Sequence, residues 1–425
     1  MRILIVNLHF APDSYGGATV IAEEEATALA EAGHEVVVFT GTRDARIGRG
    51  ELFRYQGNGL PVLAVGLPGY SDDEELHYDN ETIAGRFAEV LRVVQPDVVH
   101  FHAVQHLGVG CVEASMAAGI TTVVTLHDAW WFCERQFMIR EDGRFCGQVG
   151  IQADVCATCV PDPVAHVRRQ QRSADILNSC DAVLVPSEYW ARVMIGSGVD
   201  GSILRVNRNG VTQPRKGFQR PPYRGPVRFG FVGGRGPLKG GDQVLAALAS
   251  LPRDDYVLKV VDGSKNLGRS SMRVSHWTVP GTVELVPGWT RDGLDEFFGG
   301  IDVLLFPSQW RESFGLTVRE ATLRGVWCIV TEGGGASEDI VDGGNGTVIP
   351  LNGRHEELAA AINEILDDPG RFTPDPSCAS GIRSSAEQAA EVAAILEQCV
   401  TSARAGSVGA MDDEQPSPVA DIERA

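Results

Sequence analysis

Apolar residues in this chain fall into short unbroken runs, roughly four to eight long, that alternate with stretches where they recur three and four apart. In the first half the runs RILIVN, EVVVFT, VLAV, DVVHFH, TTVVTLHD and AVLVPS predict strands. In the second half VRFGFVG, YVLKVVDG, VELVPG, DVLLFPS, VWCIVTE and GTVIP do the same. Strands this rich in Val and Ile belong to a parallel sheet covered on both faces. The segment ATVIAEEEATALAEAG has helical spacing and stops at Gly33, a residue suited to a helix end. GDQVLAALASL and EELAAAINEILDD carry the same spacing. The predicted class is α/β, with a doubly wound sheet in each half.

Between the halves, VTQPRKGFQRPPYRGPV (211–227) is rich in Pro, Gly and Arg and has no periodicity, which marks a linker. The expected organisation is a first Rossmann-like domain over 1–212 and a second over 213–383. Their sheets would turn their carboxyl ends toward a shared cleft, where ligands of open α/β sheets bind. A helix over 384–401 would return to brace the first domain. After it, 402–425 turns to Ala, Ser, Gly, Asp and Pro, and a disordered tail is expected.

Composition narrows the function. At 425 residues two domains are the natural division. No run of about 18 apolar residues is present, so no membrane-crossing helix is predicted. The start MRILIVNLHF enters a strand pattern without a small-residue cleavage site, which points to a cytoplasmic protein. The net charge of −19 argues against nucleic acid as a partner. HVRRQQR (166–172) is a local basic stretch that would suit a peripheral contact with an acidic membrane, although a solvated helix face is the simpler explanation. Four lysines stand against 33 arginines, so the placement of each lysine is informative.

The second half opens with FGFVGGRGPLKGGDQVL: a strand, a glycine-rich turn holding Gly234, then Arg235 and Lys239 before a helix. Small residues let a ligand approach the backbone, and two cations can neutralise a diphosphate. The order and spacing are not those of a P-loop. Further on, WRESFGLTVREATLRG places Glu312 and Glu320 on either side of a small-residue turn into a helix. Ser313, Phe314 and Gly315 would leave the N–H groups of Gly315, Leu316 and Thr317 free to hold phosphate oxygens. An ionised glutamate accepts hydrogen bonds only, so paired hydroxyls suit it. Glu320 is placed for a ribose and Glu312 for a sugar at the other end of the diphosphate.

These motifs, together with YGGATVIAEEEATALAEAGHEVVVFT, VTLHDAWW, VLVPSEYW, NRNGV and GGGASEDIVDGGNGTVIP, resemble the retaining GT-B glycosyltransferases of the group 1 family (family 4) over residues 1–400. The resemblance implies two Rossmann-like domains facing a cleft and a UDP- or GDP-sugar donor. The acceptor would be a sugar or a lipid-linked intermediate, and no catalytic metal would be required. Arg235 and Lys239 would stabilise the departing diphosphate, Glu320 would hold the ribose and Glu312 the donor sugar. Gly16 and Gly17 would form a loop closing on the diphosphate, and His127 would contact the sugar. Glu338 would lie near the base and ribose. Transfer would retain configuration, the acceptor attacking on the face the nucleotide leaves, so neither glutamate acts as a glycosidase-type nucleophile or acid. Cell-surface polysaccharide or glycoconjugate synthesis would be the setting. His9, Asp13 and Arg208 depart from the pattern and receive no role. The rivals on this architecture are a sugar-nucleotide epimerase, a pyridoxal phosphate phosphorylase, for which no lysine is placed, and a non-catalytic partner subunit.

A second constellation, CERQFMIREDGRFCGQVGIQADVCATC, sets Cys133, Cys146, Cys156 and Cys159 in an insertion over 133–159. CATC has the knuckle spacing of a tetrahedral metal site, and four thiolates would complete a structural zinc site. An iron–sulfur cluster is the other metal option, and free cysteines the plain alternative. HFHAVQH offers His100, His102 and His106; packing in the cleft floor explains them more simply than a metal pair. Trp130 and Trp131 are either an acceptor platform or packing beneath the cysteine loop.

Overall fold

A computed structural model describes the chain apart from residues 15, 68–76, 235, 237, 263–271, 289–292 and 413–425; for 406–412 it describes the backbone alone. The first sheet has eight strands, β1 (Arg2–Val6), β2 (Glu35–Thr42), β3 (Leu52–Gly57), β4 (Leu60–Gly66), β5 (Val98–Phe101), β6 (Thr121–Thr125), β7 (Ala182–Val185) and β8 (Leu204–Val206). Their order is β3-β4-β2-β1-β5-β6-β7-β8. Every pairing is parallel except β3 with β4. The order reverses beside β1, between β2 and β5, so a crevice opens at the carboxyl end of β1 and β5.

The second sheet is wholly parallel, with strands β9 (Val227–Val232), β10 (Tyr256–Asp262), β11 (Thr282–Pro287), β12 (Val303–Phe306), β13 (Trp327–Thr331) and β14 (Gly346–Ile349) in the order β11-β10-β9-β12-β13-β14. Its reversal lies between β9 and β12, which places the glycine-rich turn after β9 beside the loop after β12. Two core clusters flank this sheet, one around Phe229, Phe231 and Ile362 and one around Phe298, Leu304 and Val330. All twelve predicted strands are present. The additions are β3, a half-exposed antiparallel edge, and the short β8.

The helices that position the cleft are α1 (Gly17–Glu31), α2 (Glu81–Val94), α3 (Gly110–Ala117), α4 (Ala153–Cys156), α5 (Pro163–Asn178) and α6 (Glu188–Gly196) in the first domain. The second domain has α7 (Gly241–Ser250), α8 (Leu294–Gly299), α9 (Leu316–Leu323) and α10 (Glu356–Asp367). The basic stretch lies on α5 and is not a free face. Arg169 donates to the Trp130 carbonyl, and Arg172 is ion-paired with Asp79 and Glu113. Arg168 remains exposed.

The last helix, α11, runs Ser385–Asp412. The tail expected from 402 is therefore helical as far as 412, because SARAGSVGAM contains no Pro and enough Ala to propagate a helix already anchored upstream. Val392, Ile395, Leu396, Cys399 and Val400 join Ile3, Ile5, Leu29, Val36 and Leu184 in a core cluster of the first domain. The C-terminal helix thus covers the face of the first sheet next to α1. Truncating fully buried Leu396 to Ala should cost about 2–5 kcal/mol, read as an earlier denaturant midpoint for the first domain. An unchanged midpoint would show that the helix is not part of that core.

Candidate active site

A cavity of about 580 Å³ lies between the two sheets. Gly16, Gly17, His127, Lys239, Glu312, Ser313, Phe314, Gly315, Leu316 and Thr317, all candidates from sequence, are among the residues lining it. Two helix N-termini meet there from opposite domains. α1 starts after Gly16 and α9 after Gly315; neither end carries a side-chain cap or an acidic residue in its first turn. Each such end presents unpaired N–H groups and the positive end of the helix dipole, so anions are favoured between them. Gly315 has φ +79°, and a Cβ there would collide with Ala336, so only glycine closes this turn.

The Lys239 turn is pinned to the loop after β12. Gln309 N–H donates to the Leu238 carbonyl at 2.9 Å, and Ser308 Oγ lies 3.1 Å from the same oxygen. Gly240, at φ +75°, sits where a Cβ would strike the Pro307 carbonyl. Lys239 Nζ then lies 2.6 Å from Glu312 Oε1, which also accepts from Ser308 Oγ at 2.8 Å. The carboxylate beside the anion site is thus compensated by an ammonium that can also reach a phosphate. Arg235 lies outside the described residues. Gly234 is exposed and is not among the cavity's lining residues.

The structure does not place the other two predicted glutamates on the wall. Glu320 is buried behind it, and that burial, opposed by Arg324 and reinforced by Glu24, raises its carboxyl from 4.5 to about 7. Glu338 is bound up in a contact between the domains. Its Oε1 accepts the Tyr189 N–H at 2.6 Å, at the start of α6, and its Oε2 pairs with Arg208 at 3.1 Å. Arg208 also pairs with Asp339 at 3.0 Å, which gives that residue a structural role the sequence did not show. Trp130 lines the cavity, whereas Trp131 packs in the core. His9, Asn209, Asp128 and Gln136 line it too, and no motif singled out the last three for that wall.

Sequence reasoning missed a buried chain behind His127. Glu25, on α1, lies 2.6 Å from His100 Nδ1 and 3.3 Å from His102 Nε2, and His102 Nδ1 lies 2.9 Å from His127 Nε2. Burial works to raise the Glu25 carboxyl, but the two imidazoles outweigh it and hold it well below its usual range. Burial, helped by the neighbouring His102, pushes His127 well below the usual imidazole range, so it is neutral. With His102 protonated on Nε2, the side that faces Glu25, its Nδ1 accepts from His127 Nε2–H. The Nδ1 of His127 is left as an acceptor, the form that suits a sugar hydroxyl. Among the described residues, these three ligating atoms of Glu25, His100 and His102 form the group found within 4.8 Å of one another. The 2.6 Å contact between Glu25 and His100 is shorter than the separation of two ligands on one zinc ion that holds each at about 2.0–2.2 Å.

The four insertion cysteines line one small cavity but do not form such a group, and all nine cysteines are free thiols.

Comparison with known proteins agrees with this architecture. Residues 16–210 match the Glycosyl transferase 4-like domain and residues 213–379 match Glycosyl transferases group 1. A D-inositol 3-phosphate glycosyltransferase of Pseudarthrobacter chlorophenolicus is 27% identical over 429 residues, covering 93% of each chain. A glycogen synthase of Mycobacterium tuberculosis is 26% identical over 395 residues, covering 87% of each. Among solved structures, Anabaena HepE in complex with UDP and glucose superposes with a TM-score of 0.67 at 17% identity, over 94% of this chain and 100% of that one. Sucrose-phosphate synthase from Thermosynechococcus elongatus gives 0.64 at 19% identity, over 96% and 99%. With two matches that run nearly end to end from 16 to 379 and a GT-B arrangement of both sheets, the chain belongs to the group 1 glycosyltransferases.

Proposed function

We propose that the protein transfers a hexose, with retention of configuration, from a nucleotide diphosphate sugar to a hydroxyl acceptor in cell-surface polysaccharide or glycoconjugate synthesis. The observation that carries this is the convergence of two uncapped helix N-termini and Lys239 on one cavity. A diphosphate between them would meet positive charge on both sides, and the UDP and UDP-glucose complexes of HepE support a nucleotide-sugar donor. In this account Lys239 releases Glu312 to a sugar hydroxyl and turns to the leaving phosphate, whose charge grows in the transition state. Ser308 keeps Glu312 in place during that exchange. His127 accepts from a sugar hydroxyl, and Arg235 adds charge to the diphosphate. Glu320, buried behind that wall, is the acceptor proposed for the ribose hydroxyls. The departing phosphate takes the acceptor's proton, so no enzyme carboxylate need attack the sugar.

Incubation with a panel of labelled sugar nucleotides separates this from the rivals. Transfer, or slow hydrolysis without acceptor, is expected; isomerisation alone would indicate an epimerase, and inertness toward every donor a non-catalytic subunit. Within the transferase, Lys239→Ala should lower kcat/KM by about 100- to 1000-fold, the cost of losing one stabiliser of developing charge. Steady-state kinetics check this, and an unchanged kcat/KM would remove Lys239 from the reaction.

The raised carboxyl of Glu320 gives a pH signature. A group whose folded value is raised contributes stability that is complete below 4.5 and is lost as pH rises through about 7. Hydroxyl donors favour the ionised form, so UDP should bind more tightly as pH rises through about 7. Glu320→Gln should abolish that component, leaving only the titration of the phosphate itself. Calorimetric affinities for both proteins across this range decide it; identical pH profiles would exclude a ribose contact. Glu25→Gln removes the acceptor that orders the histidine chain, and kcat should fall about tenfold or more with little change in UDP affinity. A mutant with native kcat would show that the chain serves packing alone.

A further inference from the structure

The insertion after His127 and Asp128 forms one wall of the cleft, yet it has little regular structure of its own. Between Cys133 and Cys159 the described backbone holds one isolated bridge, Ile139 with Phe145, and the four-residue helix α4. A loop of this length with so little structure of its own is uncommon in a compact domain, and this one packs Met138 and Ile151 into the main core of the first sheet. Disulfides do not staple it, since every cysteine here is a free thiol.

The geometry points to a metal. Cys133, Cys146, Cys156 and Cys159 come together from separate turns to line a single cavity of about 20 Å³, room for one ion. The Gln148 amide links two of them, lying 3.8 Å from the Cys146 sulfur and 3.4 Å from that of Cys156. The Cys159 N–H donates to the Cys156 carbonyl at 2.7 Å, the tight turn that brings both sulfurs of a CATC pair to one side. We propose that these four cysteines bind one zinc ion in a closed structural site that fixes the insertion as a wall of the cleft. The sulfurs stand wider apart around the cavity than bound ligands do. Binding draws each to about 2.3 Å from a common centre as its thiol proton leaves. Four thiolates favour zinc over the harder divalent cations, and with all four positions filled by protein the ion has no place for substrate.

The consequence for the cleft follows from contacts on the same loop. Glu134, Gln136 and Phe137, each within four residues of Cys133, line the cavity between the domains. Gln136 donates to Asp128 at 2.7 Å, beside His127. Phe137 packs edge-on against Trp310 of the second domain, with ring centres 5.2 Å apart. Metal binding would therefore hold the wall against which the donor domain closes. This last step rests on the proposed transferase function, but the metal itself does not, and it is read without catalysis.

The test uses the full chain without a metal-binding tag, purified under reducing conditions and dialysed. Elemental analysis should find about one zinc per chain, released by a mercurial thiol reagent after about four equivalents, as four-thiolate coordination requires. Protein stripped of zinc and refilled with cobalt(II) chloride should show thiolate charge-transfer absorption and the intense visible bands of tetrahedral cobalt. Cys146→Ser and Cys156→Ser should each weaken zinc retention at least tenfold and lower the melting temperature. The cobalt spectrum of the native sequence decides the matter should those variants fail to fold. Protein that retains no zinc, cobalt spectra lacking thiolate bands, or iron with acid-labile sulfide in place of zinc would each overturn the proposal.

Discussion

The seam at residues 310–314 holds the two domains in register, and the cavity exists only because of it. Trp310 belongs to the second domain by sequence, but its side chain is counted in the main core of the first, edge-on to Trp190 at 6.2 Å. Three residues later, Ser313 Oγ donates to the His127 carbonyl at 2.5 Å, and its own carbonyl accepts from Ser187 Oγ at 2.6 Å. Ser187 Oγ also caps α6 by accepting the Trp190 N–H at 3.1 Å, but parting the domains leaves its hydrogen and the carbonyls of Ser313 and His127 without these partners unless water enters. The segment that anchors one domain in the other is also the segment that carries Glu312 and leads into α9. Its position fixes how far the anion end of α9 stands from His127.

Charge is arranged around that seam in layers. At the cavity wall the helix ends and Lys239 are positive, and Glu312 is compensated at once by its neighbour. One layer back, in the first domain, Glu25 is a buried anion held against two imidazoles, at 2.6 and 3.3 Å. A bare carboxylate in that position would be costly. The two imidazoles beside it make it tolerable, and the contact from His102 to His127 decides which ring nitrogen His127 offers to the cleft.

Much of this was legible in the sequence, and the misses share physical causes. The buried parallel strands were read correctly because continuous Val and Ile runs leave little alternative. LFRYQG, now β3, was missed because an edge strand half in water lacks such a run, and LRV in β8 is too short to show a pattern. That Lys239 and residues 312–317 share one cavity was legible because a strand, its turn and the following helix lie together in the sequence, so local order predicts local geometry. The Glu25–His102–His127 chain joins a helix to the ends of two separate strands, and no spacing rule connects them. Glu338 was misplaced for the same reason: its local motif could not show that Arg208 and the start of α6 occupy its carboxylate.

Arg319 and Lys239 differ in the work their chemistry allows at the cavity. Arg319 is almost wholly buried, and burial lowers it only to about 10, so it stays charged. Its Nε reaches Asp339 at 2.5 Å, its other nitrogens bond the carbonyls of Phe314 and Gly335, and its plane lies 3.7 Å from the centre of the Phe314 ring. A planar fork with five donors can hold two turns by their carbonyl oxygens at once; an ammonium cannot. With those carbonyls tied down behind the wall, the N–H side of the turn at Gly315 is left for the cavity. Lys239 has the opposite task. A single charge on a flexible stem can leave a carboxylate for a phosphate and return, which a forked, fully bonded arginine cannot do without breaking several bonds. On the proposed function, Arg319 therefore supports the anion site from behind, and Lys239 completes it from the front.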